Sequence, residues 1–136
     1  GKANGRSSNW GTAEEYVQTE DNEVCLGVMI EKTTAVDDLD AILDVPDLGF
    51  VFIGPSDLSV QMGHPTNKTH PEVKRQIEAI EDACVAADVP LGGIRNDPQS
   101  IADAEQDGYQ ILRVGGDLSS IEALLGERLT TIRDGN

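Results

Sequence analysis

Four times along this chain a short apolar run gives way to a segment with helically spaced apolar residues. That alternation constrains the fold more than any other feature. The runs are Val24–Ile30, Phe50–Ile53, Pro90–Ile94 and Tyr109–Val114. Each is continuous rather than alternating, as in strands of a parallel sheet that carries helices on its faces. Strands alternating with helices predict parallel β/α packing with right-handed crossovers. At 136 residues the chain is one domain, 1–136, with room for a core. A complete (β/α)8 barrel usually needs about 200 residues or more. Four units therefore predict an α/β fold of the TIM type, a (β/α)4 half of such a barrel. An open four-stranded α/β sheet is the alternative.

The punctuation is consistent with this order. Gly1 to Gly11 is rich in Gly, Ser and Asn and reads as a loop. Thr12 can cap a short helix with Glu14 and Glu15 in its first turn. Thr33 or Thr34 caps a helix to about Leu43, with Val36, Leu39, Ile42 and Leu43 at helical spacing. Gly54-Pro55 ends the second strand, and Ser56 or Asp57 is placed to cap the next, short helix. Pro71 opens a helix whose apolar stripe includes Val73, Ile77, Ile80 and Cys84. A helix from Pro98 to Gln106 turns at Asp107-Gly108 into the fourth strand. The last helix starts at Asp117 or Ser119 and runs to about Arg133.

Charge narrows the partners. Asp and Glu number 25 against 10 Lys and Arg, a formal net charge of −15. A duplex or an anionic membrane repels such a surface, so neither nucleic acid nor membrane is an expected partner. The acid is spread along the chain and Lys is scarce. It reads either as an ordinary solvated face or as adaptation to high salt, where screening relieves self-repulsion, and the second is preferred. No stretch is apolar and long enough to span a membrane. The two cysteines, Cys25 and Cys84, are too few for a disulfide framework and point to a reducing cytoplasm. The first residues lack a signal-peptide core and an initiator Met, which predicts a processed or partial chain.

Ligands in such folds sit at the C-terminal ends of the strands. The first strand ends on Glu31 and the second runs into Gly54-Pro55-Ser56-Asp57. Two carboxylates on neighbouring strand ends suit Mg²⁺ or Mn²⁺, with water or substrate oxygens completing the shell. The plainer reading makes both of them caps, and spacing alone leaves the two near balance. Gly54 permits close backbone approach. Free N–H groups at Ser56, Asp57 and Leu58 would receive a substrate carboxylate. A cation beside an anion-binding turn suits a 2-oxo acid. His64 and His70 read as turn residues, Ser59 as bonding locally to backbone, and Asp117 as a cap. Trp10 and Tyr16 read as packing residues. Arg6 and Arg95 are weaker candidates for an anionic substrate. No P-loop, GxGxxG, HExxH or CxxC occurs.

At these residues the chain resembles the C-terminal half of the class II pyruvate aldolases of the HpcH/HpaI type, the 4-hydroxy-2-oxoheptanedioate aldolases and their relatives. The matching stretches are Val28-Met29-Ile30-Glu31, Ala35 through Pro46, the segment IGPSDLS from Ile53 to Ser59 with Met62-Gly63, His70-Pro71-Glu72-Val73, and Val114-Gly115-Gly116-Asp117. Gly5-Arg6-Ser7-Ser8 and Glu15-Tyr16 also fit. IGPSDLS is the most specific. The resemblance implies that Glu31 and Asp57 are the two protein ligands of a divalent metal, Mg²⁺, Mn²⁺ or Co²⁺. It implies that pyruvate chelates that metal while N–H groups around Ser56 and Asp57 hold its carboxylate. Gly54, Ser56 and Asp57 are then the substrate-binding residues, and the metal stabilises a pyruvate enolate.

The family's proton-moving His–Asp pair and its oxyanion-stabilising Arg belong to the N-terminal half, so the resemblance assigns no catalytic residue here. It also implies a homo-oligomer, built through a C-terminal helix matching about Leu118 to Arg133. The expected function is a metal-dependent aldolase or lyase cleaving or forming 4-hydroxy-2-oxo acids. The alternative is a silent half-barrel that binds metal or pyruvate, or assembles with a partner carrying the missing strands. A related lyase for acyl-CoA or citrate-type substrates ranks lower, since no adenine- or phosphate-reading loop is present.

Overall fold

The computed structural model of the protein describes residues 24–95 and 98–135. The loop and helix expected before residue 24, with Arg6, Trp10 and Tyr16, lie outside them. Four strands form one sheet in sequence order: β1 (Leu26–Ile30), β2 (Leu48–Ile53), β3 (Leu91–Ile94) and β4 (Tyr109–Arg113). All three pairings are parallel. Between the strands run α1 (Thr33–Asp37) and α2 (Leu39–Leu43), α3 (Pro55–Gln61) and α4 (Pro71–Ala86), and α5 (Pro98–Ala104). After β4 comes α6 (Asp117–Asp134). The expected parallel β/α alternation is the observed one.

The helix expected from Thr33 to Leu43 is two helices. Its break is at Asp38 (φ −99°, ψ 15°), and Ile42 N–H donates to the Asp38 carbonyl to begin the second piece. Asp competes with the helical backbone and favours helix starts, so consecutive Asp37-Asp38 interrupts the run. The first strand begins at Leu26, not Val24, with a register shift between Leu26 and Gly27.

The core lies on the helix side of the sheet. Ile30, Val51, Ile53, Leu91 and Tyr109 point there from the strands. Leu39, Leu58, Ile80, Cys84 and Ala104 meet them from the helices. Burying one such aliphatic side chain contributes roughly 1.5–3 kcal/mol. The other face is different. Phe50 packs its ring on Gly27, and Phe52 lies over Gly92, where a Cβ would come within 2.7 Å of the ring. These rings, with Met29, Ile94 and Arg113, line an open groove of about 490 Å³. The continuous first run predicts a buried strand, yet in β1 only Ile30 is buried and Met29 is 55 % exposed. A continuous apolar run does not say whether its second face is covered.

Candidate functional site

The C-terminal ends of β1 and β2 carry the predicted carboxylates. Pairing of Ile30 with Ile53 brings the next residues, Glu31 and Gly54, side by side, and Gly54 N–H donates to the Ile30 carbonyl at 2.9 Å. Gly54 is buried, and a Cβ there would meet Glu31 Cβ at 2.9 Å and Oε2 at 3.4 Å. Any side chain at position 54 would push Glu31 aside. Glycine is therefore needed here for space.

Gly54 then acts as the N-cap of α3, with Pro55 at the first helical position. Neither Ser56 nor Asp57 is the cap. Pro fixes the helical start one residue earlier, so both fall in the first turn. Leu58 N–H is not free, since it donates to the Gly54 carbonyl at 3.1 Å. Helix geometry leaves the N–H groups of Ser56 and Asp57 as the first-turn donors. The Asp57 carboxylate is exposed in that same turn, where the helix dipole favours negative charge. Ser59, as expected, bonds locally: its buried hydroxyl donates to the Ser56 carbonyl at 2.7 Å.

Gly54, Ser56 and Asp57 thus share one turn, and Glu31 abuts that turn through Gly54. A cavity of about 360 Å³ beside Asp57 is lined by Ser56, Asp57, Ser59, Val60, Thr66 and Lys68. Glu31 does not line it. Carboxylates are hard oxygen donors, the kind that suits an oxygen-preferring divalent cation. Sequence reasoning missed Lys68, which brings a positive charge to this cavity. A Lys in a polar loop carries no motif to mark it.

The weaker candidates resolve differently. The Arg95 guanidinium lies over the Tyr109 ring at 4.1 Å, donates to the Ile94 carbonyl at 3.2 Å, and pairs with Asp107 at 3.9 Å. Tyr109 donates its hydroxyl to Glu81. Burial, with that carboxylate bond, holds the phenol well above its usual range. Arg95 is therefore engaged with its neighbours. Asp117 is the first residue of α6 rather than its cap, which is Gly116, and its Oδ1 accepts the Leu118 N–H at 2.8 Å.

His64 and His70 are more than turn residues. Their rings stack with centroids 3.6 Å apart and planes 17° apart. His70 caps α4 by accepting the Glu72 N–H at Nδ1, 3.3 Å. His64 Nε2 and Glu72 Oε2 are 2.7 Å apart. That hydrogen bond, with the nearby positive charges of both imidazoles and Arg75, lowers the Glu72 carboxyl from its ordinary value. The signal in sequence was slight: two histidines six apart, the second before a helix-opening proline, with a Glu two residues on. No helix among the described residues is long and apolar enough to cross a membrane.

Comparison with known proteins agrees with this architecture. The family model described as HpcH/HpaI aldolase/citrate lyase matches residues 5–123. A 2-keto-3-deoxy-L-rhamnonate aldolase from Escherichia coli K12 is 37% identical over 130 residues, covering 96% of this chain and 49% of that protein. The chain spans about half the length of the curated relatives it matches. Among solved structures, an HpcH/HpaI aldolase/citrate lyase family protein from Burkholderia cenocepacia J2315 superposes with a TM-score of 0.82 at 26% identity, covering 94% of this chain and 50% of its own. An HpcH/HpaI aldolase from Desulfitobacterium hafniense DCB-2 gives a TM-score of 0.80 at 28% identity, covering 93% and 51%. Macrophomate synthase, at 23% identity and a TM-score of 0.81 over 90% of this chain and 43% of its own, shares the fold. The neighbours are TIM-barrel aldolases, and the four β/α units here correspond to about half of such a barrel. With its strand order, its helix-side core and more than half its length matched, the chain belongs to the HpcH/HpaI aldolase/citrate lyase family.

Proposed function

We propose that this chain supplies the metal- and pyruvate-binding half of a class II aldolase that cleaves or forms 4-hydroxy-2-oxo acids. The observation that carries the reading is the close approach of Glu31 to Gly54, where an added Cβ would meet Glu31 Cβ at 2.9 Å, which sets one carboxylate beside the turn bearing the other. Glu31 and Asp57 would hold Mg²⁺, Mn²⁺ or Co²⁺. Such an ion, when bound, supplies Lewis-acid polarisation of a 2-oxo acid. The chain's own residues bind and orient. Ser56 and Asp57 N–H groups donate to the substrate carboxylate, and Gly54 lets the backbone and Glu31 approach closely beside it. Lys68, on the wall of the Asp57 cavity, adds positive charge for an anionic substrate. No residue of this chain is assigned the proton-moving step. The acidic excess supports a high-salt setting, and the two free cysteines support a cytoplasmic one.

A second reading is a silent half-barrel that assembles with a partner or a second copy. It is favoured by the open apolar face of the sheet and by β1 and β4, each paired on one side only among the described residues. The α6 helix supports a homo-oligomer in either case. It has no buried residue, and Leu118, Ile121, Leu124, Leu125, Leu129 and Ile132 are all exposed.

Deuterium exchange into pyruvate separates the two readings. Metal-dependent exchange by this chain alone would support the aldolase reading. Saturable metal-dependent pyruvate binding without exchange favours the half-barrel whose proton-moving groups lie on another segment. Absence of both binding and exchange contradicts the pyruvate site.

A further inference from the structure

We propose that His64, His70 and Glu72 form a second cation site, separate from Glu31 and Asp57 and selective for a borderline-soft divalent ion of the Zn²⁺ class. One ligand atom from each residue lies within 4.8 Å of the other two. A tetrahedral ion with Zn–N and Zn–O bonds of about 2.0–2.2 Å needs its ligand atoms roughly 3.3 Å apart. Here His64 Nε2 and Glu72 Oε2 stand at 2.7 Å, and His70 Nδ1 and the same Oε2 at 4.0 Å. The Glu72 side chain is 54 % exposed and so has room to turn toward that spacing. The cap bond that His70 Nδ1 accepts is 3.3 Å, at the long end for N–H donation, and is a weak competitor for that lone pair.

The chemistry of the set differs from that of the strand-end carboxylates. Two imidazoles with one carboxylate are a Zn²⁺-type donor set, whereas Mg²⁺ prefers oxygen alone. The rings stack 3.6 Å apart with planes 17° apart, so one must turn out of the stack for both nitrogen lone pairs to meet a single ion. Both rings are half-buried and thereby oriented, while the Glu72 side leaves coordination positions open to water.

The loop between the histidines is already folded to hold them. His64 N–H donates to the Ser59 carbonyl at 2.8 Å, Asn67 N–H to the His64 carbonyl at 3.0 Å, and His70 N–H to the Asn67 carbonyl at 3.1 Å. Thr66 within it has φ 67°, a conformation a β-branched residue rarely adopts. Thr66 and Lys68 from this loop also wall the cavity beside Asp57. An ion clipping His64 to His70 and Glu72 would fix that wall without touching Glu31 or Asp57.

Zn²⁺ titration of the full chain by calorimetry tests this, with Mg²⁺ in excess and Cys25→Ser in every variant to remove the exposed thiol. One ion per chain is expected. His64→Ala and Glu72→Gln should each weaken it roughly tenfold or more, and Glu31→Gln should leave it unchanged. Co²⁺ in place of Zn²⁺ should give a visible absorption band that the same two variants lose. Glu72→Gln changes only an exposed side chain, so it decides the matter if His64→Ala fails to fold. No saturable binding, or unchanged affinity in Glu72→Gln, would overturn the site and leave a helix cap with an ion pair.

Discussion

The two faces of the sheet differ in how completely they are covered, and that difference separates what stabilises this chain from what it is built to meet. On the helix side Val51 is 0 % exposed and Ile53 2 %. On the other side Phe50 and Phe52 are half-buried, and Met29 and Ile111 are exposed. Both faces are apolar. Only one is closed by the elements described. The closed face therefore carries the stability, and the open one is apolar surface that no described element covers.

The largest expected effect is in the closed face. Ile80→Ala, at a fully buried position of α4, should cost about 2–5 kcal/mol in denaturant unfolding. Phe52→Ala, a larger truncation on the open face, should cost only about 1–2 kcal/mol because its ring is partly in solvent. If Phe52→Ala matches Ile80→Ala, the open face is covered in solution and the contrast fails. A smaller test uses the thiols. Cys25 is exposed and Cys84 buried, so an alkylating reagent should modify Cys25 alone until the chain unfolds.

Alkaline pH gives the third test. Burial, with the nearby Glu81 charge, pushes the Cys84 thiol from about 9 up to about 11. A group raised in the folded state contributes stability that is full below its unfolded value and lost as pH rises through the folded one. Stability should therefore decline between about pH 9 and 11, by about 3 kcal/mol at most from Cys84. Cys84→Ala should flatten that decline. An equal decline in the variant assigns it elsewhere, with Tyr109, also raised by burial, the next candidate.

Much of this was legible in the sequence because it rests on local signals. Continuous apolar runs marked the strands. Gly54-Pro55 marked the end of β2 and the start of α3, and Glu31 stood immediately after β1. What was not legible depends on competition or on distance. Asp38 breaks a helix whose apolar spacing is otherwise unbroken. Pro55 takes the helix start from Ser56 and Asp57, and Leu58 spends its N–H on Gly54. Met29 and Phe52 read as core because hydrophobicity records what a face tolerates, not what covers it. The stacking of His64 on His70 needs the whole loop to fold, and six residues of separation do not announce it.

The central claim concerns Glu31 and Asp57, and Mn²⁺ titration followed by the electron paramagnetic resonance of the free ion tests it most directly. The account predicts one bound Mn²⁺ per chain, weakened roughly tenfold or more by Glu31→Gln and by Asp57→Asn, and unchanged by His64→Ala. Mn²⁺ binding by both carboxylate variants as tight as by the parent chain would contradict it.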